Sequence, residues 1–362
     1  VRTLFYYTAQ GWSGSARAFA VAARGLMARG EPVTVACCED SVAEHAFARE
    51  GLEVVVLPKG GSVTGDAWRL RRVLRDRFVE VVFLHSEREQ LVASSAMRMA
   101  ERGAVIRRIP AGAMASGGRP TQMAGKLASV RMLFATEADR ARTPGGERGF
   151  LAPLGVDVSR VDGIRAAART SLGVELETQL IVCVTDADAR VRATIALRTL
   201  ALLAERHPEL RLALVGSGTG EEDMRMHAAA LGVSSLVRFL GERDDMPNVL
   251  AAADLGWIAA EGDDAGFAAL DFMAARVPIV SERTPLVAHY VPDGIAGLLL
   301  PPADPGDTAA TVANFLGRQE ERDTMGRAGR TRAQRDFSEE AMIAGFAAAA
   351  DAAGDRGSWT AR

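Results

Sequence analysis

Apolar and polar positions along the chain follow two rhythms that take turns. Short apolar runs read as buried strands: TLFYY (3–7), VTVAC (33–37), LEVVVLP (52–58) and VEVVFLH (79–85). Between them, apolar residues recur at three and four, the period of a helix. One such stretch begins near Ser15 and runs through ARAFAVAARGLMARG, with Gly30 where a C-terminal glycine cap stands. VAEHAFARE, WRLRRVLRDRF (68–78) and ASSAMRMAERG are others, and AVIRRI and RMLFAT close this half. Short apolar strands alternating with helices predict a parallel sheet covered on both faces. Ligands of such sheets sit at the carboxyl ends of the strands. The loop after the first strand, carrying Gly11 and Gly14, is one such place.

The rhythm weakens over residues 143–179, where TPGGERG breaks the pattern and LAPLGVDVSRV is irregular, so this stretch reads as an interdomain connection. A second series follows. LIVCV (180–184), LRLALVG (210–216), VRFLG, LGWIA, IVSE and GLLLPP read as strands. The helices between them are ATIALRTLALLAERHP, stopped by Pro208; EEDMRMHAAALG, closed by Gly232; and MPNVLAAAD. ERDTMGRAGRTRAQRD and a helix from Ser338 through FAAAADAA end the chain. The fold class predicted is α/β, with two Rossmann-like doubly wound domains facing a cleft.

Composition narrows the function only by exclusion. A chain of 362 residues exceeds what one core usually organises, which agrees with two domains. The net charge of −3 supplies no general attraction to nucleic acid, so no nucleic-acid partner is expected. Cys37, Cys38 and Cys183 are odd in number, and two are adjacent on a strand, pointing to opposite faces. They read as buried, reduced thiols rather than disulfides or a metal site. No apolar run approaches the ~20 residues that span a bilayer. The chain enters its first strand at Leu4 without a leader pattern, and a cytoplasmic location is expected.

From Ile195 onward the sequence resembles family 4 glycosyltransferases of the GT-B fold. The resemblance rests on IALRTLALLAERHPELRLALVGSGTGEEDMRMHAAALGV, VRFLG, MPNVLAAADLGWI, ALDFMAARVPIV and DGIAGLLLPPAD, in that order and essentially without gaps. SGSARAFAVAARGLMARGEPVTV resembles the family's first glycine loop and helix, and PLGVD (153–157) its linker. The resemblance implies a retaining transfer of a sugar from a nucleotide donor, with no metal or other cofactor. It implies an acceptor-side domain at 1–165, a donor-side domain at 166–337, and a last segment, 338–362, crossing back to the first domain.

Such an enzyme stabilises a departing diphosphate with helix-start amides and an arginine–lysine pair. Gly14 lets the backbone approach a pyrophosphate closely. Gly216 and Ser217 open a second glycine loop, GSGTG (216–220). The fit to the family puts its arginine at Asp186 and its lysine at Val191, so the expected positive charge is missing there. Arg190 and Arg192 flank Val191 and are the candidates to supply it; the alternative is that both are solvated loop arginines. The family's two glutamates, one on the donor sugar and one on the ribose, become Asp263 and Asp271. Each is one methylene shorter, and Glu261 is the alternative for the first role. Read without the family, Asp263 and Asp264 are a solvated loop with a helix N-cap, and Asp271 is a surface helix residue. Gly266 and Phe267 lie between the two carboxylates and complete the donor set with Arg243, near which the base contacts fall.

Further departures are Pro285-Leu286 for a glycine pair, His289 for a glutamate, Leu154 for an asparagine, and no histidine at Pro110 or Ala111. His85, at a strand end in HSE, is the acceptor-side candidate; its plainer reading is structural. The helix 68–78 sets arginines beside Trp68, Leu70, Val73, Leu74 and Phe78. That pattern fits an anionic membrane or a phosphorylated acceptor, or more plainly a packed helix whose arginines snorkel. The partners implied are a nucleotide-sugar and a small-molecule, glycan or lipid-linked acceptor. The alternative function is a non-catalytic relative that keeps the fold with a degenerate donor site. A sugar-nucleotide epimerase of the same architecture fares no better, because the cationic pair is missing for it as well.

Overall fold

A computed structural model describes residues 1–101, 103–115, 118–186, 190–217, 222–301 and 305–354, the side chain of Arg190 excepted. The strands and α-helices begin with β1 (Thr3–Tyr7), α1 (Gly14–Ala28), β2 (Val33–Cys38), α2 (Val42–Arg49), β3 (Val54–Leu57), α3 (Val63–Asp76), β4 (Val81–Leu84), α4 (Glu87–Ala100), β5 (Ala104–Ile109), α5 (Arg119–Leu127), β6 (Val130–Phe134), α6 (Glu137–Arg142) and β7 (Phe150–Leu151). Then come α7 (Arg165–Leu172), β8 (Leu180–Thr185), α8 (Arg190–Leu203), β9 (Arg211–Val215), α9 (Glu222–Ala230), β10 (Val237–Gly241), α10 (Met246–Ala252), β11 (Leu255–Ala259), α11 (Gly262–Ala274), β12 (Ile279–Glu282), α12 (Pro285–Tyr290), β13 (Gly297–Leu300), α13 (Pro305–Leu316), α14 (Gln319–Asp336) and α15 (Glu339–Gly354). The chain divides into two units: Val1–Leu154 with Glu339–Arg362, and Gly155–Ser338.

In the first unit, seven strands lie in the order β3-β2-β1-β4-β5-β6-β7. β1 is flanked by β2 and β4, with Thr3 opposite Val33 on one side and Val81 on the other, all parallel. Every residue of β1 is buried because both faces of the sheet are covered. Leu4 and Tyr6 pack with Leu70 and Leu74 of α3 and Val92 and Ala96 of α4. On the other face, Phe5 stacks on Phe83 at 5.2 Å and meets Phe19 of α1 and Phe346 of α15 at 5.3 and 6.1 Å. This double coverage is why the strand reads as an unbroken apolar run. The last helix therefore belongs to this unit. It seats so closely that a Cβ at Gly345 would collide with the Leu151 carbonyl.

α3 and the residues after it divide their apolar side chains between core and surface. Leu70 and Leu74 are buried, but Trp68 and Phe78 are 57% and 55% exposed. Instead of entering the core, each ring carries one guanidinium on a face, Arg71 over Trp68 and Arg2 over Phe78.

The second unit holds a six-stranded parallel sheet, β10-β9-β8-β11-β12-β13. The division falls at Leu154/Gly155 rather than at 165/166. The connecting stretch is tied to the second unit: Arg330 grips Asp162 through both terminal nitrogens, at 2.7 and 2.9 Å. Arg169 of α7, fully buried, donates to the carbonyls of Ala252, Glu175, Leu176 and Thr178 and pairs with Asp254. One helix the sequence reading passed over, α13, supplies Ala309, Val312, Phe315 and Leu316 to the core beside α8. Their spacing at three and four carries a helical period. Among the described residues, no helix is long and apolar enough to cross a membrane.

Candidate functional site

In the second unit the strand order reverses between β8 and β11, the position at which open α/β sheets receive ligands. Asp186 follows β8, and its carboxylate accepts a 2.7 Å hydrogen bond from the backbone N–H of Glu261, the N-cap of α11. Arg192, in the first turn of α8, reaches Glu261 at 2.7 Å and Glu282 at 3.4 Å. One guanidinium thus faces two carboxylates, with a third beside them at Asp186. Arg192 also borders a cavity of about 220 Å³ with Trp257, Ser281, Glu282 and Thr308. Val191 is 77% exposed. Arg190 opens α8, but its side chain lies outside the described residues.

α11 is apolar and almost wholly buried, yet it carries Asp263 and Asp271 at 3% and 6% exposure. Neither is the solvated residue that the plainer sequence reading allowed. Burying a carboxylate is costly without compensating partners, and here two are kept on one helix. Asp263 lies in the first turn, where the helix dipole favours negative charge. Asp271 follows eight residues later, a rise of ~12 Å. Gly266 and Phe267, also buried, lie between them. Glu261, the alternative for the first role, is exposed and committed to Arg192.

The glycine loop after β9 has a structural reason for its first residue. Gly216 has φ +121°, and a Cβ there would collide with the Thr185 carbonyl. Its N–H donates to the Gly241 carbonyl at 2.9 Å, so that amide is already engaged. Ser217 follows it, and residues 218–221, which hold the rest of the loop, lie outside the described residues. Arg243, after β10, forms a two-point pair with Asp245 at 2.7 and 2.8 Å. That pairing raises the Arg243 pKa above its ordinary value.

In the first unit, strand order reverses between β1 and β4. Gly14 is buried as the first residue of α1, and Ser13 caps the helix by accepting from the Ala16 N–H. His85 follows β4, with its ring stacked on Tyr7 at 4.8 Å. Its Nδ1 lies 2.8 Å from Glu89, a fully buried carboxylate. Burial pushes the Glu89 pKa up, but His85 and the amides of Ser86 and Thr8 outweigh it, and the group settles at about 2. The sequence reading stopped at HSE and missed Glu89. The signal was present: Ser86-x-x-Glu89 is a capping box, and α4 starts there rather than at ASSAM. Among the described residues, no three His, Cys, Asp or Glu side chains cluster closely enough to hold a metal ion.

Comparison with known proteins bears on the second unit first. Residues 165–332 match the family model of glycosyl transferases, group 1. The chain is 34% identical over 193 residues to a D-inositol 3-phosphate glycosyltransferase of Saccharomonospora viridis, covering 50% of this chain and 45% of that one. It is 30% identical over 267 residues to a protein of the same name from Geodermatophilus obscurus, covering 66% and 58%. The chain thus spans about half the length of the curated relatives it matches. Among solved structures, Anabaena Alr3699/HepE in complex with UDP-glucose is similar with a TM-score of 0.81 at 16% identity, covering 97% of this chain and 99% of that one. WaaG, a glycosyltransferase involved in lipopolysaccharide biosynthesis, is similar at 0.72 and 19%, with the same coverage. The fold class is therefore that of the GT-B glycosyltransferases, two Rossmann-like α/β units.

Proposed function

We propose that the protein is a retaining glycosyltransferase that moves a sugar from a nucleotide-sugar, bound by the second unit, to a hydroxyl of an acceptor bound by the first. The observation that carries this reading is the group 1 match over residues 165–332, on a chain whose fold is GT-B. In this reading α11 is the donor element. Asp271 accepts the ribose hydroxyls, for which a carboxylate with two oxygens is suited. Asp263 addresses the donor sugar. Arg192, with Arg190, meets the departing diphosphate, and Gly14, Gly216, Ser217, Arg243, Gly266 and Phe267 shape the donor site. His85 faces the acceptor. The names of the relatives support a phosphorylated polyol as acceptor and the HepE complex supports a UDP-sugar as donor. A cytoplasmic location agrees with three free, buried cysteines.

One observation favours a second reading, a binding or partner protein without transfer activity. Arg192 is engaged by Glu261 and Glu282, and Asp186 sets a negative charge against the start of α11. Titration with UDP and GDP by calorimetry separates the two. The transferase binds one of them and releases it from the matching nucleotide-sugar, and Asp271→Ala weakens that binding. Absence of binding to either leaves the second reading standing.

A further inference from the structure

The outer face of α3 lies outside the site described above and has a chemistry of its own. The helix buries Leu70 and Leu74 against the first sheet. The helical period then turns Trp68, Arg72 and Arg75 outward together, at spacings of four and three. All three are exposed, and the Arg72 side chain is 86% exposed.

Charge on this face is one-sided, on a chain whose net charge is −3. Residues 63–78 hold two acids, and one of them, Asp66, is buried in ion pairs with Arg69 and Arg88. Asp76 is therefore the one exposed acid of the stretch, against Arg69, Arg72, Arg75 and Arg77. Its contact with Arg72 is 3.6 Å between two exposed side chains, a pairing worth little. Arg77 pairs with Glu53, which is exposed as well. Arginine stays charged at any working pH, so the face keeps its sign. Two copies of it would repel each other.

Trp68 adds an apolar anchor to that charge. Arg71 lies over the ring at 5.2 Å, and its Nε donates to the Met99 carbonyl at 3.0 Å, which holds this guanidinium where it is. An indole has an apolar body and one N–H donor, which suits the boundary between acyl chains and headgroups. Cations beside an aromatic ring on one helix face are the pattern of helices that lie on membranes. Here the leucine stripe is already spent on the sheet, so one ring and a few charges make the contact, and it is reversible.

We infer that the outer face of α3 is a docking surface for an anionic lipid membrane, with Trp68 at the headgroup boundary and Arg72 and Arg75 on lipid phosphates. The inference stands on this surface alone and does not depend on the transferase reading.

The test is co-sedimentation of the full chain with vesicles of phosphatidylcholine alone, and of phosphatidylcholine with about one third phosphatidylglycerol. The wild type binds the mixed vesicles and not the neutral ones, and raising salt from about 0.1 to about 0.5 M releases it. Each arginine near an anionic surface is worth roughly fivefold in partitioning, so Arg72→Ala and Arg75→Ala together lower it roughly twentyfold. Brominated lipid in the mixed vesicles quenches part of the fluorescence of the four tryptophans, and Trp68→Phe removes that quenching. Because the substituted side chains are exposed, the variants keep the wild-type melting temperature and UDP affinity, so a loss of vesicle binding is not a loss of fold. Equal binding to neutral vesicles, binding undiminished in the double variant, quenching that survives Trp68→Phe, or no binding to either vesicle overturns the inference. Equally tight binding to polyglutamate or to a short DNA duplex also overturns it, because the face would then be a site for acidic macromolecules rather than for lipid.

Discussion

The carboxylate of Asp186 is hydrogen-bonded at 2.7 Å to the backbone N–H of Glu261, across the two strands between which the order of the second sheet reverses. In the fit to the family this aspartate replaces an arginine. It places a negative charge on a helix start that would otherwise favour phosphate oxygens. Asp186→Asn removes the charge and keeps an oxygen for the amide. The variant should bind UDP roughly tenfold more tightly at low salt, about 1.4 kcal/mol of relieved repulsion. Calorimetry measures it, and an unchanged affinity means that diphosphate does not approach the start of α11.

Arg192 carries the opposite expectation. It is 28% exposed and its partners Glu261 and Glu282 are 55% and 30% exposed, which makes the pairs themselves worth little to stability. Arg192→Ala should leave the melting temperature nearly unchanged and weaken UDP binding by roughly tenfold. Arg192→Lys should recover only part, because a point charge does not reproduce the guanidinium fork. A large fall in melting temperature without a loss of UDP affinity would assign Arg192 to the fold instead.

Glu89 predicts a pH dependence. Its carboxyl is held at about 2 against an ordinary 4.5. The unfolded chain therefore binds this proton first as pH falls. The stabilisation is complete above 4.5 and is lost between there and about 2, on the order of 3 kcal/mol in all. Urea unfolding followed from pH 6 to pH 3 should show stability falling in the wild type and falling less steeply in Glu89→Gln.

Most strands and most helices were legible because each sheet is covered on both faces, so that a strand such as Leu4–Tyr7 is apolar throughout; the two-residue β7 was not, because Phe150–Leu151 is too short to carry a pattern. The placement of the carboxylates at 263 and 271 was legible only through the order of the family's motifs, because an aspartate on an apolar helix looks the same whether it faces water or a core. Their burial is a property of what packs on α11, and no local pattern carries that. For Trp68 and Phe78 the stripe left both a packed and an exposed face open, because an apolar stripe does not reveal whether a neighbouring helix covers the rings; here each is half exposed, with Arg71 and Arg2 beside them. Glu89 was written in a capping box, but its bond to Thr8 joins residues 81 apart in sequence.

A similar distance in sequence, 85 residues to Asp254, conceals the role of Arg169 in tying the connecting stretch to the second unit. Its guanidinium is fully buried, gives its hydrogens to four carbonyls and lies 2.5 Å from Asp254. Asp254 in turn accepts from the Leu180 N–H at the start of β8. Burial lowers the Arg169 pKa, and the Asp254 carboxylate works against that loss. Arg169→Met fills the volume but leaves four carbonyls without this donor and weakens the hold on a carboxylate inside the unit. Removing one partner of a buried pair costs about 3–5 kcal/mol. Hydrogen exchange localises the damage: protection should fall along β8 and β11, which Asp254 joins, and stay unchanged along β1 and β4 in the first unit. Equal loss in both sheets would mean that the units unfold as one cooperative body, and no loss in either would remove Arg169 from the account of why residues 155–172 side with the second unit.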